Sequence, residues 1–372
     1  MARRSIGKPR FYADILQYIK ALGYYKGSDF QLGDNAYNNT NHFELFNMNP
    51  NQPKEFTEHI TGSIIRIEAN YRFQESKDLN NLLTSIPQSD VSGLYAGILG
   101  HNFATTNIAT YFGLTKWTDD TTAGQTSYCT YESPDSNIAN ILNGANEGFV
   151  TSHFDHEYDG YSLLNIEDFR GANWETSESN IDRLKFAAIT DQLPDGAIPK
   201  IGAVTFGRWF EPEFSFDLKG TISNTYEGVS TQRTVGGSSL TNINHLGQPN
   251  WGDLPAWTFK KQEDRDYNLG GEKGRRQWNV GFSFLTDEKL FNKAGNPDKF
   301  FTYDEDTEQY TFDTSLSSFL KLTLNGKLPF IFCPDNDADE KEFAICRVTN
   351  QPTFSQVANN LFSTSLTITE TW

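Results

Sequence analysis

The residues of this chain best suited to metal chemistry form one short run, S-H-F-D-H-E-Y-D, at positions 152–159. His153 and His156 lie three residues apart beside several carboxylates, and imidazole and carboxylate are both ligands of first-row transition metals. Residues i and i+3 of a strand point to opposite faces, so the two histidines could share an ion only if the backbone turned between them. We therefore expect a polar surface loop, with no metal and no cofactor.

A second acidic run, D-N-D-A-D-E at 335–340, begins like a calcium-binding loop, because aspartates occupy alternate positions. A complete EF-hand loop also needs a glycine at its sixth position and a bidentate glutamate at its twelfth. Glu340 and Cys346 stand at those two positions. The pattern favours a solvated hairpin tip over a calcium site.

The sequence carries no recognisable catalytic signature. His101 and Asn102 in ILGHNF resemble a general base and the residue that orients it, but no nucleophile motif such as G-x-S-x-G accompanies them. Asx-type side chains at the end of a strand more often satisfy backbone groups. The 48 acidic residues supply many carboxylates for glycoside hydrolysis, but no spacing selects a pair. We expect a protein that is not an enzyme.

Composition predicts an all-β fold. The 372 residues include 29 Phe, 16 Tyr and 7 Trp but only 2 Met, and aromatic and β-branched residues are enriched in strands. Short runs with period-two alternation recur along the chain, separated by turn-forming residues. The last run, Leu361 to Glu370, alternates up to the C-terminal end. We expect this end to be a structural strand rather than a disordered tail.

Length and one break in the pattern predict two domains. A chain of this length suggests two domains at roughly 100 to 200 residues each. Pro194 and Pro199 each remove a backbone donor and restrict the residue before them. The predicted organisation is a basic N-terminal arm at 1–10, a β-sandwich at 11–190, a linker at 191–201 and a C-terminal β-barrel or sandwich at 202–372.

The charge of the chain bears on its partners. A formal net charge of −17 repels nucleic acid and anionic membrane surfaces, and no segment is long and apolar enough to be a membrane span, so we expect neither partner. The exception is the N-terminal arm, whose four basic residues precede the first acidic one; they are Arg3, Arg4, Lys8 and Arg10. We expect this arm to meet acidic protein surface on a neighbouring subunit.

A long segment from Thr241 to Gln277 is rich in glycine and charge and contains Trp251 and Trp257. Such a loop in a compact domain is usually functional or is ordered by a partner. Tryptophan is enriched among the residues that dominate interface energetics. We therefore expect both tryptophans to anchor a desolvated partner-binding patch.

The three cysteines, Cys129, Cys333 and Cys346, show no C-x-x-C spacing, so neither a disulfide framework nor a zinc site is indicated. Cys333 and Cys346 flank the acidic turn. If that turn is centred near Ala338, Cys346 lies opposite Phe330 and faces away from Cys333. We expect free, buried thiols in a protein made in a reducing cytoplasm.

Several segments carry a family resemblance. Those of the C-terminal part are IGAVTFGRWF, GVSTQRTVGGSSLTN, GRRQWNVGFSFL, LPFIFCPDN, EFAICRV and QVANNLFSTSLTITETW. They resemble the C-terminal region of virion structural proteins of tailed bacteriophages, particularly marine ones, across most of Ile201–Trp372. In the first half, GLYAGILGHNFATTNIATYFGL is similar to a strand and turn of galactose-binding-like β-sandwiches (jelly rolls) in phage tail and tip proteins.

The resemblance implies a virion component of the tail or tail tip, made in the host cytoplasm and assembled with copies of itself and other virion proteins. It implies no chemistry. The alternatives are a module that binds a host surface glycan and, third, a glycan-cleaving enzyme. Tryptophan and tyrosine exposed in a shallow groove would favour the former, and two convergent carboxylates in a deep cleft would favour the latter.

Overall fold

The structure is a computed structural model, and the account below is confined to the residues that it describes. These residues are 7–22, 30–33, 40–41, 43–50, 52–56, 60–61, 64–72, 94–106, 108–115, 151–154, 159–165, 183–190, 194, 196–225, 229–243, 275–290, 301–304, 309–312, 315–338 and 343–371. Of them, 49% lie in strands, and the strands form antiparallel sheets. The all-β fold predicted from composition is confirmed.

The described strands and helices are numbered in chain order. The strands up to Phe210 are β1 (Arg10–Asp14), β2 (Phe30–Gly33), β3 (Thr40–Asn41), β4 (Lys54–Glu55), β5 (Ile60–Thr61), β6 (Ile64–Arg72), β7 (Leu94–His101), β8 (Ala109–Thr115), β9 (Thr151–Phe154), β10 (Gly160–Asn165), β11 (Arg183–Thr190), β12 (Lys200–Ile201) and β13 (Ala203–Phe210). The later strands are β14 (Thr221–Thr225), β15 (Val229–Arg233), β16 (Ser239–Ile243), β17 (Arg275–Thr286), β18 (Phe301–Asp304), β19 (Gln309–Phe312), β20 (Phe330–Cys333), β21 (Ala344–Val348), β22 (Ser355–Ala358) and β23 (Leu361–Glu370). The helices are α1 (Ile15–Ala21), α2 (Phe103–Thr106), α3 (Asp287–Leu290) and α4 (Leu316–Leu322), with a 3-10 helix at Phe43–Phe46.

The chain divides into two compact units, each built from segments far apart in sequence. The first unit contains Met1–Asp14, Trp209–Phe291 and Ser315–Trp372. The second unit contains Ile15–Arg208 and Asn292–Thr314. The first unit therefore joins the start of the chain to its C-terminal strands.

The predicted linker at 191–201 is described from residue 196 onwards and at Pro194. Its last two residues form β12, which pairs antiparallel with β4. Ile201 is completely buried, so this end of the segment is packed in the second unit. The predicted domain limits, 11–190 and 202–372, stay a prediction.

The second unit contains two larger groups of paired strands. In one, β7 lies between β10 and β13, with Tyr161 and Ala203 both opposite Leu99. In the other, the strand order is β3-β2-β6-β11-β8-β9, and β5 also pairs with β6. Strand β7 is therefore the central strand of this group and is buried. His101 is its last residue and Asn102 follows it directly, so the two residues considered above as a base and its orienting partner lie at the end of this strand.

The first unit contains an antiparallel sheet in the order β1-β20-β21-β23-β17-β14, with β22 added to β23. The alternation predicted for the last strand is confirmed, because Leu366 and Ile368 of β23 are buried, Ser365 before them is exposed and Thr367 between them is only half-buried. One face of this strand therefore contributes to the core.

The core of the first unit is built from aromatic rings. Phe11 of β1 is fully buried, and its ring centroid lies 5.1 Å from that of Phe319 and 5.1 Å from that of Phe332. Phe319 of α4 meets Phe330 edge to face, with centroids 5.0 Å apart. Tilted and edge-to-face pairs at such distances are favourable beyond the area they bury. The abundance of phenylalanine in the sequence thus reflects the way this core is packed.

The register predicted around the acidic turn is confirmed. Phe330 lies opposite Cys346 in the β20–β21 pair, and Cys333 lies three residues further along β20. Neither cysteine forms a disulfide, and both are buried. Burial raises the pKa of the Cys346 thiol well above its ordinary value, and the nearby carboxylate of Glu370 raises it further, while Arg276 acts in the opposite direction. Cys129 lies outside the described residues.

Candidate assembly surface

The described part of the N-terminal arm is docked on its own chain. The backbone N–H of Lys8 donates to Oδ2 of Asp337 at 2.9 Å, and the N–H of Asn336 donates to the carbonyl of Lys8 at 2.8 Å. The Asp337 N–H also donates to Oδ1 of Asp335 at 3.2 Å. A Cβ on Gly7 would lie 2.6 Å from that of Asp337. The described carboxylates of the acidic turn therefore bind backbone donors, as a hairpin tip would.

Arg10 continues this docking inside the first unit. It is only 7% exposed, its Nε donates to Oε2 of Glu211 at 2.8 Å, and its guanidinium lies 3.9 Å from the ring centroid of Trp209. Asn336 donates to the same Glu211 oxygen at 3.2 Å. Arg10 thus holds β1 in place through partners on its own chain.

The remaining predicted partner-binding residues lie outside the described part of the chain. They are Arg3, Arg4, Trp251 and Trp257. Contact of the six residues with a partner stays a prediction.

His101 has hydrogen bonds that suit a structural role. It is buried, its Nδ1 accepts from the backbone N–H of Phe103 at 3.3 Å, and its Nε2 lies 3.0 Å from Oγ of Ser162. Because Nδ1 is an acceptor, the neutral ring carries its proton on Nε2 and donates to the serine. A serine nucleophile needs the opposite direction, in which the hydroxyl donates to the imidazole.

Asn102 satisfies backbone groups, as the sequence predicted. Its Nδ2 donates to the carbonyl of Ile198 at 2.8 Å, and its Oδ1 accepts from the N–H of Lys200 at 2.8 Å. The side chain therefore bridges the end of β7 to the start of β12. This confirms the interpretation of Asn102 as a structural residue.

Of the two histidines weighed as metal ligands, only His153 is described. It lies in β9 opposite Tyr111 of β8, so the expectation of a surface loop is wrong at this residue, and His156 is outside the described residues. Among the described residues, no group of three or more His, Cys, Asp or Glu side chains could hold a metal ion. In the same part of the chain, no helix is long and apolar enough to cross a membrane.

The most unusual surface of the first unit is formed by β14 and by the hairpin of β15 and β16, which we call the exposed segment (residues 221–225 and 229–243). Every residue of β14 and β15 is exposed. Four of its large apolar side chains are exposed too; they are Ile222, Val229, Val235 and Leu240. Single exposed apolar residues are ordinary, but several within one short stretch of chain point to an interaction surface.

Strand β14 is an open edge of its sheet. It pairs with β17 on one side, with Ile222 opposite Trp278, and no strand pairs with its other side among the described residues. Its sequence, T-I-S-N-T, has no charge and no proline. Natural edge strands usually carry such features to prevent pairing with another chain, so this edge is suited to pairing with an additional strand.

The β15–β16 hairpin is regular but has little core of its own. Val229 lies opposite Ile243 and Thr231 opposite Thr241, and the two threonine hydroxyls are 3.2 Å apart. The turn is closed by the N–H of Thr234, which donates to the carbonyl of Ser238 at 2.8 Å. An isolated two-stranded hairpin is marginally stable in water. Contact with another surface would stabilise it.

The stretch of sequence that contains the exposed segment, residues 221–243, is also depleted in charge. Of its 23 residues only Glu227 and Arg233 are charged, whereas the chain average of 21% would give about five. Depletion of charge is typical of the centre of a protein interface. This depletion is visible in the sequence and was the signal that could have located the segment.

A shallow apolar groove lies elsewhere on the first unit. Its apolar lining consists of Phe210, Pro212, Phe214, Phe282, Phe284 and Leu285. The rings of Phe214 and Phe284 are 54% and 62% exposed. The irregularity in β17 between Phe282 and Leu285 accompanies the outward position of Phe284.

Asp217 fixes one wall of this groove. Its carboxylate accepts from the backbone N–H and the hydroxyl of Ser283, at 3.2 and 2.6 Å, and its own N–H donates to the carbonyl of Gly281 at 2.9 Å. A Cβ on Gly281 would lie 2.9 Å from the Asp217 carboxylate. These bonds hold the segment before β14 against β17, so the groove is preformed.

The chain was compared with protein-family models, with curated proteins and with solved structures. None of the three comparisons gave a match.

Proposed function

We propose that this chain is a structural protein that assembles through protein–protein contacts, as a tail or tail-tip component of the virion of a tailed bacteriophage. The observation that carries the proposal is the exposed segment, in which an open edge strand and a hairpin present apolar side chains to solvent. The sequence resemblance of Ile201–Trp372 supplies the virion assignment. The partners are copies of the same chain and other virion proteins.

The size of the exposed segment suits this role. The described residues of β14 and of Val229–Ile243 number 20, and a standard interface uses roughly 20 to 30 residues a side. Burial of apolar surface contributes about 25 cal/mol per Å². An edge strand adds main-chain hydrogen bonds when a second strand pairs with it. Both contributions become available only on assembly.

The basic residues Arg3 and Arg4 and the tryptophans Trp251 and Trp257 would extend the same contacts. The positive charges of Arg3 and Arg4 would attract this end of the chain to acidic surface on a neighbouring protein. The tryptophans would add desolvated anchors. Within this proposal the protein is made in the host cytoplasm and resides in the particle.

The experiment has two readouts. Sedimentation velocity of the purified full chain over a wide concentration range should show species larger than one chain, and mass spectrometry of purified particles should detect the protein. Immunogold labelling would then locate it on the tail. A chain that stays monomeric throughout and is missing from particles would overturn the proposal, and tight binding of host polysaccharide by such a monomer would favour the glycan-binding alternative.

A further inference from the structure

The turn of the β15–β16 hairpin presents one apolar side chain in isolation. Val235 is 109% exposed, so none of the residues that the structure describes covers it. Gly237 has a φ of +85°, its N–H donates to the carbonyl of Thr234 at 2.9 Å, and no heavy atom lies within 4 Å of a Cβ built on it. The turn is therefore a narrow, internally bonded tip with valine at its end.

The groove lined by Phe214 and Phe284 has the complementary character. It is an open surface feature rather than an enclosed cavity, so an aliphatic side chain could lie against its apolar lining from the solvent side. Both rings are exposed and would lose water contact if a side chain packed against them. An aliphatic or aromatic side chain held against an apolar pocket is the kind of anchor that the centre of a binding interface requires.

The charges beside the tip and in the groove are opposite in sign. Arg233 lies two residues before Val235, is exposed, and has no ion-pair partner among the described residues. Glu213 lines the groove and is exposed. A tip that enters the groove would bring the guanidinium near this carboxylate. Such a pair contributes orientation and specificity more than affinity.

Resting on the proposed function, we infer that the tip of one copy, Thr234–Ser238, binds the groove of a second copy, with Val235 against Phe214 and Phe284 and Arg233 beside Glu213. The occupant is a second copy because the tip and the groove that match each other belong to one sequence, and because the charge-poor exposed segment lets two chains of net charge −17 approach. Tip and groove are different patches, so the contact is heterologous and repeats around a ring or along a filament.

Two single substitutions test the contact. Val235→Asp damages the tip and Phe284→Asp damages the groove, and each should weaken self-association at least about tenfold, since a charge would be buried without a partner. Both side chains are exposed, so circular dichroism and thermal melting should match the wild type. Val357→Asp is the matched control, because Val357 is exposed on β22 outside both patches.

Mixing the two damaged chains is the decisive step. The tip is unchanged in the Phe284→Asp chain, and the groove is unchanged in the Val235→Asp chain. Equal amounts should form one-to-one dimers and nothing larger, because each dimer ends in a damaged tip and a damaged groove. A charge reversal tests whether Arg233 lies beside Glu213 in the contact. Arg233→Glu should weaken assembly, and adding Glu213→Arg in the same chain should restore it.

The outcomes separate the two proposals. A wild-type chain that never self-associates would overturn the inference and remove the main support for the proposed function. A wild-type chain that assembles, with the Val235→Asp chain assembling equally well or the mixture staying monomeric, would overturn the inference and leave the assembly function standing. Loss of assembly in the Val357→Asp control as well would show that the contact is not confined to tip and groove.

Discussion

At the scale of single residues, the most consequential charge is Glu370, which ends β23 and is completely buried. Arg276 of β17 donates to its two oxygens, from Nη2 at 2.9 Å and from Nε at 3.1 Å, and the Arg276 backbone N–H adds a third bond at 2.9 Å. The pair ties β17 to β23 inside the first unit. A buried carboxylate requires such a partner, because desolvation of an unpaired charge is costly.

Replacement of Arg276 by methionine should therefore destabilise the fold strongly. We expect a loss of about 3–5 kcal/mol in the free energy of unfolding, because the Glu370 carboxylate would stay buried without its partner. Urea unfolding followed by circular dichroism measures the change. Adding Glu370→Gln should recover much of it, since the amide oxygen still accepts from the backbone of residue 276. A single variant as stable as the wild type would contradict the role given to this pair.

The buried thiol of Cys346 should make stability fall in alkaline solution. Its pKa is raised in the folded chain by burial and by Glu370, whereas in the unfolded chain the thiol ionises at about pH 8.5. Above that pH the unfolded state gives up a proton that the folded state keeps, so the free energy of unfolding falls by up to about 1.4 kcal/mol per pH unit.

The comparison that isolates this effect is between the wild type and Cys346→Ala in reducing buffer. The alanine variant should start less stable at neutral pH because of its smaller side chain, and the difference should narrow as the pH rises above about 8.5. A constant difference across the alkaline range would show that the thiol does not contribute to the pH dependence.

At the scale of elements, the hairpin of β15 and β16 should change its dynamics on assembly. Backbone amides with few buried neighbours open easily, whereas those of a core strand open only with the whole fold. In the monomeric Val235→Asp chain, amide hydrogens of residues 229–243 should exchange rapidly. In the assembled wild type they should be protected, with the fully buried strand β20 slow in both samples as the internal control.

Hydrogen exchange read by mass spectrometry provides this comparison. Equal protection of residues 229–243 in the two samples would mean that the hairpin does not enter a contact on assembly.

At the scale of the whole molecule, the net charge of −17 opposes contact between copies. The Debye length shortens from about 30 Å at 0.01 M salt to about 10 Å at 0.1 M, so added salt screens this repulsion. The proposed pair of Arg233 and Glu213 would be weakened too, but an exposed pair is worth only about 0–1 kcal/mol. We expect self-association to strengthen as salt rises over this range.

Sedimentation velocity at fixed protein concentration and increasing sodium chloride measures this dependence. Association that weakens steadily with salt would show that ion pairs, rather than apolar contacts, hold the copies together.

The sequence by itself determined the class of the fold and several local features. Aromatic and β-branched content predicted the strands, period-two alternation predicted the buried face of β23, and the position of the acidic turn fixed the register of Cys346 opposite Phe330. Asn102 was also correctly predicted to bond backbone groups. These features depend on residues close in sequence or on a single hairpin, so local spacing is enough to specify them.

The tertiary structure decided which residues are covered. Period-two alternation tells which side chains share a face, but not which distant strand packs against that face or leaves an edge open. Arg10 was expected in an arm that meets a neighbouring subunit and is buried against Glu211 of its own chain. The pairing of Glu370 with Arg276 was not predicted from the sequence. The exposed segment reads in sequence as ordinary strands, and only the sheet order shows that β14 is an edge. Burial and edges follow from contacts between residues far apart along the chain, which spacing does not record.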